Sequence, residues 1–198
     1  MSAEAKRLIR VFPRRTRATP DDELAYADVL PVSFRALEVV PDAALLASWA
    51  DRNLRMLQAC AAIEEHGQQD KQDEDSPHAA DLLRIDLKVN LLLEMVGHLL
   101  AASQSRPPAR PVRFNAHGIV WQTDGAVPAP GTRGVVEVHL KDSLVQPLCL
   151  LGSVADESHD GVVHMRFEPL PEAVGDHVEK LVFRRHRRQI AGVRHTRR

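Results

Sequence analysis

The spacing of apolar residues changes near residue 110, and that change limits the folds available to this chain. Between residues 41 and 106 the apolar residues recur every three to four positions, as on one face of an α-helix. After Arg110 they alternate with polar residues, as in a strand with one buried face. Only 4% of residues are aromatic, so the core must consist mainly of Leu, Val, Ala and Ile. We predict an α+β fold, with a helical segment followed by a small antiparallel sheet.

Two helices are predicted in the first part of the chain. Asp42 is typical of a helix N-cap, and an apolar seam follows it until Gly67 ends the helix. Residues 68–75 predict a flexible connector, because they are acidic and have no apolar residue to bury. Ser76 and Pro77 begin the second helix, which we expect to form an antiparallel hairpin with the first. The seam of the first helix contains Leu46, Trp49, Asn53, Met56, Cys60 and Ile63.

The second helix has more apolar surface than a hairpin can cover. One set of residues has the spacing of a coiled-coil seam, and Leu87, Leu91 and Met95 form a second apolar face. Two interpretations are open: a buried central helix of a monomer, or a helix that assembles several copies. Asn53 favours assembly, because a buried Asn can fix the register of a coiled coil. The alternative is that its side chain is partly exposed and bonds to solvent. The predicted oligomer interface consists of Leu82, Ile85, Val89, Leu92, Val96 and Leu99.

The alternating residues predict a small antiparallel β-barrel. Turn-forming pairs such as Asp124-Gly125 separate the alternating runs and predict short meander connections, and closure into a barrel would remove free strand edges. Residues 24–40 predict an additional first strand. A final helix over residues 171–187 has one apolar face, which we expect to plug the barrel mouth. That face consists of Val174, Val178, Leu181 and Val182.

Neither an enzyme nor a metal site is indicated by the sequence. Its ten histidines are scattered, Cys60 and Cys149 lack the paired spacing of zinc ligands, and the motifs of nucleotide hydrolases and Rossmann folds are absent. We expect a non-enzymatic cytoplasmic protein with no cofactor, no metal and no membrane span. The net charge is −1, but both ends are rich in arginine. Without aromatic residues among those arginines, only a non-specific contact with nucleic acid is expected.

Two segments of the sequence resemble a PilZ domain. They are VRFNAHGIVW, from Val112 to Trp121, and RFEPL, from Arg166 to Leu170, which leads into a helix containing FRRHRR. The resemblance covers about residues 110–190 and the first strand. The helical insertion resembles that of the atypical, tetrameric branch of the family. This resemblance implies a six-stranded barrel, assembly through a parallel four-stranded coiled coil, and cyclic di-GMP as the ligand of the family.

In PilZ domains an RxxxR motif and a [D/N]xSxxG motif hold cyclic di-GMP. Arg10 and Arg14 have the spacing of the first motif, and guanidinium groups suit phosphates and the guanine acceptor edge. In the second motif Gly118 matches the glycine, Asn115 stands in place of Ser, and Arg113 stands in place of Asp or Asn. A guanidinium has only donors, so Arg113 suits a phosphate or a glutamate rather than the guanine N–H edge. Weak or absent binding of cyclic di-GMP is therefore expected.

We predict a self-assembling bacterial adaptor in cyclic di-GMP linked regulation of motility, pili or virulence. A protein partner in type IV pilus function or second-messenger signalling is expected. One alternative is a functional cyclic di-GMP receptor that uses Arg10, Arg14 and the Asn115–Gly118 loop, and a second is a basic-tailed oligomer that binds nucleic acid. The predicted segments are a basic N-terminus (1–23), the first barrel strand (24–40), an oligomerisation insertion (41–106), the barrel with its C-terminal helix (107–190) and a basic tail (191–198).

Overall fold

The computed structural model describes residues 24–69 and 106–195 and, between them, residues 81, 84, 85, 87–89, 91, 92, 95–97 and 99. All the described residues between 81 and 99 are helical, and we call them the insertion helix. The strands are β1 (Ala25–Ala36), β2 (Ala109–Asn115), β3 (Gly118–Gln122), β4 (Arg133–Val138), β5 (Leu148–Val154) and β6 (Val162–Phe167). The other two helices are α1 (Ala43–Gln69) and α2 (Glu172–His195).

These strands form one closed antiparallel barrel in the order β1-β2-β3-β6-β5-β4. The predicted α+β fold with a small barrel is therefore confirmed. Strand β1 closes the barrel because its two halves have different partners: residues 25–31 pair with β2, and residues 32–36 pair with β4. A closed barrel of this kind leaves few backbone groups in need of another partner.

The strand order differs from a simple meander. Strand β3 pairs with β6, and residues 123–132 lead from the end of β3 to β4, which lies between β1 and β5. Turn-forming residues determine where a chain reverses, and Gly131 and Gly161 do adopt the positive φ angles, 78° and 75°, that such turns favour. They do not determine which strand the next segment meets. The predicted meander is confirmed for the consecutive pairs β2–β3, β4–β5 and β5–β6, and it is wrong at the connection from β3 to β4.

The barrel interior holds the residues that the alternating pattern predicts. In β2, Val112 and Phe114 are fully buried, and Arg113 between them lies on the outer surface. Helix α2 closes the barrel with its apolar face, which belongs to the same core and is at most 2% exposed. The helix continues to His195, beyond the predicted end. The other buried residues that follow the pattern include Ile119, Trp121, Val136, Val138, Leu148, Leu150, Val163 and Met165.

Helix α1 packs against the outside of the barrel. It begins as predicted, because the Asp42 carboxylate accepts a hydrogen bond of 2.7 Å from the backbone N–H of Leu45. Its Leu46 and Trp49 contact a small second core on the outer face of β4 and β5, formed by Val135, Cys149 and Leu151. It does not end at Gly67 but continues to Gln69.

Asn53 has a role that neither sequence interpretation predicted. Its side-chain amide donates to the Cys149 carbonyl at 2.7 Å, and its Oδ1 accepts from the Cys149 backbone N–H at 3.0 Å. Asn53 is only 4% exposed, so it neither fixes an oligomer register nor bonds to solvent. It joins α1 to the outer edge of β5, where the buried backbone would otherwise lack partners.

The insertion helix leaves both of its predicted apolar faces exposed. Its second face, formed by Leu87, Leu91 and Met95, is 54–69% exposed. A buried central helix of a monomer would cover these side chains, so that interpretation is wrong. Leu82, also predicted for the seam, lies outside the described residues. The described seam residues are 46–71% exposed and are Ile85, Val89, Leu92, Val96 and Leu99.

The insertion helix meets the barrel at the loop between β4 and β5. Gly97 is buried there, and a Cβ at this position would lie 2.9 Å from the carbonyl oxygen of Ser143. Arg106 donates to the same loop, to the carbonyls of Asp142 at 3.0 Å and Leu144 at 3.2 Å. Close backbone approach and these hydrogen bonds fix the helix against the barrel at one place.

Substituting Asn53→Ala should lower the free energy of unfolding by about 2–4 kcal/mol, because the buried N–H and carbonyl of Cys149 both lose their partner. Urea unfolding followed by circular dichroism measures this change. The control is Gln58→Ala, at an exposed position of the same helix, where a change within about 0.5 kcal/mol is expected. Equal unfolding midpoints for the two variants would contradict this role for Asn53.

Candidate functional site

Three of the five predicted ligand-binding residues lie together at the turn between β2 and β3. Arg113 and Asn115 are on β2, and Gly118 is the first residue of β3. The alternation of β2 places Arg113 and Asn115 on the outer surface of the barrel, because Val112 and Phe114 face the interior. The predicted arginines at positions 10 and 14 lie outside the described residues.

Gly118 has a structural reason to be glycine. It lies opposite Arg166 of β6, and a Cβ on Gly118 would be 2.6 Å from the carbonyl oxygen of Met165. No side chain fits at that distance without moving the backbone of β6. The motif glycine is therefore required by the packing of β3 against β6, whether or not a ligand binds.

Asn115 also has a structural function. Its Oδ1 accepts a hydrogen bond of 2.8 Å from the backbone N–H of His117, which is the geometry of an Asx turn. The carbonyl of His117 accepts in turn from the backbone N–H of Phe167 at 2.8 Å. The side chain that stands in place of the family Ser thus stabilises the turn itself.

The outer surface beside this turn is basic. Strand pairing places Arg113 and His164 on either side of Val120, and it places Arg166 beside Gly118. The exposed Arg166 lies 3.3 Å from the Glu157 carboxylate. These side chains offer hydrogen-bond donors that suit phosphate oxygens, with no carboxylate in the place of the motif Asp to accept from guanine. Alternation along β6 was the signal that groups His164 with Arg166 on one face.

A second polar cluster, which the sequence did not predict, lies beneath α2. Arg185 is 9% exposed, and its guanidinium donates to the Glu64 carboxylate at 3.2 Å, the Tyr26 hydroxyl at 3.3 Å and the Leu140 carbonyl at 3.0 Å. The Asp28 carboxylate lies 3.5 Å away. The guanidinium also stacks over the Tyr26 ring, 5.1 Å from its centroid.

Glu64 is the acceptor at the centre of this cluster. Its side chain is 2% exposed, and nitrogens of Arg184, Arg185 and Arg188 lie 3.5, 3.2 and 3.4 Å from its carboxylate oxygens. The three arginines come from one turn of α2, whereas Glu64 comes from α1. A carboxylate buried this deeply requires such partners, since it has lost its water.

The cluster is structural rather than nucleophilic. Burial raises the pKa of the Tyr26 hydroxyl, and the charge of Arg185 only partly offsets that rise. Burial also raises the pKa of the Cys60 thiol, with Glu64 adding to the effect. Burial by itself would lower the pKa of Arg185, but the surrounding groups, Glu64 and Asp28 among them, raise it overall. Burial outweighs the opposing effect of the Arg185 charge on the Cys60 thiol, and a thiol that stays protonated is a poor nucleophile.

Two further side chains of α2 cover an open edge of β1. The first half of β1 pairs with β2 on one edge only, since β4 pairs with residues 32–36. On the other edge, the Gln189 amide bonds to both the N–H and the carbonyl of Ala27, and His186 Nδ1 lies 2.6 Å from the carbonyl of Ala25. Because that carbonyl only accepts, Nδ1 of His186 carries a proton.

Within residues 24–69 and 106–195 and the described part of the insertion helix, no group of three potential metal ligands occurs. Over the same residues, no helix is both long and apolar enough to cross a membrane. The candidate sites in the described residues are thus two polar regions: the basic outer surface at the β2–β3 turn, and the arginine cluster between α1, α2 and β1.

The family model of the atypical PilZ domain, described as a cyclic di-GMP receptor, matches residues 57–195. Among solved structures, the chain is similar to a pathogenic protein from Xanthomonas campestris, reported as a tetrameric PilZ domain that self-assembles through an unusual helical bundle. The two are 29% identical with a TM-score of 0.67, and the match covers 86% of this chain and 92% of that protein. No curated protein matches the chain. The resemblance inferred from the β2–β3 segment is thus confirmed.

Substituting Gly118→Ala should destabilise the protein by about 1–3 kcal/mol, because the new methyl group displaces the backbone of β6. Thermal and urea unfolding without any ligand measure this loss. Gly125→Ala is the control, since a Cβ there meets nothing closer than the Thr123 hydroxyl at 3.6 Å. If Gly118→Ala is as stable as the control, the glycine is retained for another reason than packing.

Proposed function

This chain belongs to the atypical PilZ domain family, and on that premise we propose that it is a non-enzymatic, cytoplasmic bacterial adaptor that assembles as a tetramer and binds cyclic di-GMP weakly or not at all. Its output is an interaction with another protein in cyclic di-GMP linked regulation of motility, pili or virulence. The observation that carries this proposal is the insertion helix, whose two apolar faces both stand in solvent in the single chain.

Hydrophobic burial supplies the driving force for assembly. Fully burying one Leu, Ile, Val or Met side chain contributes about 1.5–3 kcal/mol, so eight such side chains provide enough to offset the entropy of association. The seam and the second face point in different directions around the helix. A two-stranded coil covers one seam, whereas a four-helix arrangement buries a wider stripe on each helix. The X. campestris protein, similar over most of this chain, assembles through a helical bundle.

The geometry of the β2–β3 turn supports weak messenger binding. Gly118 and Asn115 already serve the barrel, through close strand packing and the Asx turn. Arg113 replaces the residue whose acceptor would pair with the guanine N–H edge. The remaining contribution would be electrostatic, from donors to phosphate, which gives affinity without selectivity for guanine.

The alternative function is a working cyclic di-GMP receptor. It is favoured by the basic outer surface that carries Arg113 and Arg166, because the messenger has two phosphates. In that case Arg10 and Arg14 supply the missing guanine contacts and the Asn115–Gly118 loop supplies backbone donors. The description of the family model as a cyclic di-GMP receptor also favours it.

Substituting Ile85→Asp or Leu92→Asp should dissociate the tetramer, because each copy would place a charge in the apolar seam. Size-exclusion chromatography with light scattering should then give a particle of 22.0 kDa rather than four times that mass. Val39→Asp is the matched control, since Val39 is an apolar residue that is 79% exposed outside the insertion helix. A monomeric parent protein at micromolar concentration would refute the assembly proposal.

Calorimetric titration with cyclic di-GMP tests the second part of the proposal. We expect a dissociation constant of about 100 µM or weaker, corresponding to a few phosphate contacts without guanine recognition. Arg14→Ala should have little effect on it. A sub-micromolar constant that is lost in Arg14→Ala would establish the receptor alternative instead.

A further inference from the structure

An open depression lies between α1, α2 and β1, next to the Arg185 cluster and away from the motif turn. Its volume is about 400 Å³, which is large enough for a small molecule of nucleotide size. Arg185 and Glu64 form its floor, and Lys141, Arg188 and Asp28 line it nearer the solvent. The residues come from four separate parts of the chain, so the depression exists only in the folded protein.

The charges around this depression are predominantly positive. Together with Arg184 on the Glu64 carboxylate, the cations Lys141, Arg185 and Arg188 outnumber the two carboxylates, Glu64 and Asp28. Lys141 is half-buried, and its amino group forms no ion pair with any residue that the structure describes. A half-buried ammonium group that no carboxylate contacts directly favours binding of an anion.

Arg188 is exposed enough to contact a ligand while it stays bonded to Glu64. Its side chain is 41% exposed; one guanidinium nitrogen donates to the backbone carbonyl of Glu64 at 3.1 Å, and another lies 3.4 Å from Glu64 Oε2, beyond the usual distance of a charge-assisted hydrogen bond. Arg184 and Arg185 also lie within ion-pair distance of the Glu64 carboxylate, at 3.5 and 3.2 Å. A guanidinium has five N–H donors, so Arg188 can keep these contacts and still donate to an anion in the depression.

From this geometry we propose that the depression binds a small phosphate-bearing molecule, held by Lys141 and Arg188 above the fixed charge of Arg185. Phosphate oxygens accept several hydrogen bonds at once, and both ammonium and guanidinium groups are well suited to donate them. The concave shape admits a soluble molecule rather than a bilayer surface. The site does not use Arg113, Asn115 or Gly118, so it can be tested independently of messenger binding at the β2–β3 turn.

Pyrophosphate, titrated into the full-length protein by calorimetry, is the direct probe. Lys141→Gln and Arg188→Gln should each raise its dissociation constant about tenfold, the loss expected for one hydrogen bond to a charged group. Lys180→Gln is the matched control, because it removes the same charge from an exposed position of α2 outside the depression, and it should leave the constant unchanged. The absence of saturable binding to the parent protein, or equal weakening by Lys180→Gln, would overturn the proposal.

Asp28→Asn gives a test that loss of folding cannot imitate. The substitution removes a carboxylate that lines the depression but keeps the oxygen that accepts from the Val29 N–H. Pyrophosphate should then bind more tightly, because one source of repulsion is gone. Unchanged or weaker binding in Asp28→Asn would count against an anion in this depression.

Discussion

The buried guanidinium of Arg185 joins parts of the protein that are far apart in sequence. It connects α2 to Glu64 of α1, to Tyr26 of β1 and to the carbonyl of Leu140 after β4. Removing one member of such a buried charge cluster typically costs about 3–5 kcal/mol, since the other charge stays buried without a partner. The last turns of α1 are therefore tied to α2 through a buried charge cluster in which Arg185 bonds to Glu64.

The β2–β3 turn illustrates how a ligand motif can survive as part of a scaffold. Gly118 is fixed by its distance to the Met165 carbonyl, and Asn115 by its bond to the His117 N–H. Neither requirement involves a ligand. A barrel that no longer recognises guanine would therefore still require Gly118, and the motif glycine alone is weak evidence for binding in this fold.

Sequence periodicity predicted those features of the fold that depend on local burial. Val112 and Phe114 in β2, and Val178 in α2, are buried because their spacing matches the repeat of the element that carries them. The role of Asn53 was not predictable, because its partner Cys149 is 96 positions away. The structural role of Arg185 was also not predictable, because it belongs to a run of basic residues that is typical of a solvent-exposed surface. For the candidate site, the sequence located the turn but not the structural bonds that its side chains form.

The way α2 covers β1 affects which strand edges of this protein can pair with another chain. A free strand edge is a template on which another chain can add a strand. Along the first residues of β1, the amide of Gln189 and the ring of His186 occupy that edge. These two side chains of α2 bond to the backbone groups with which a neighbouring strand would otherwise pair. The last turns of α2 thus block intermolecular β-pairing along this edge, and their removal would leave the edge open to a strand of another chain.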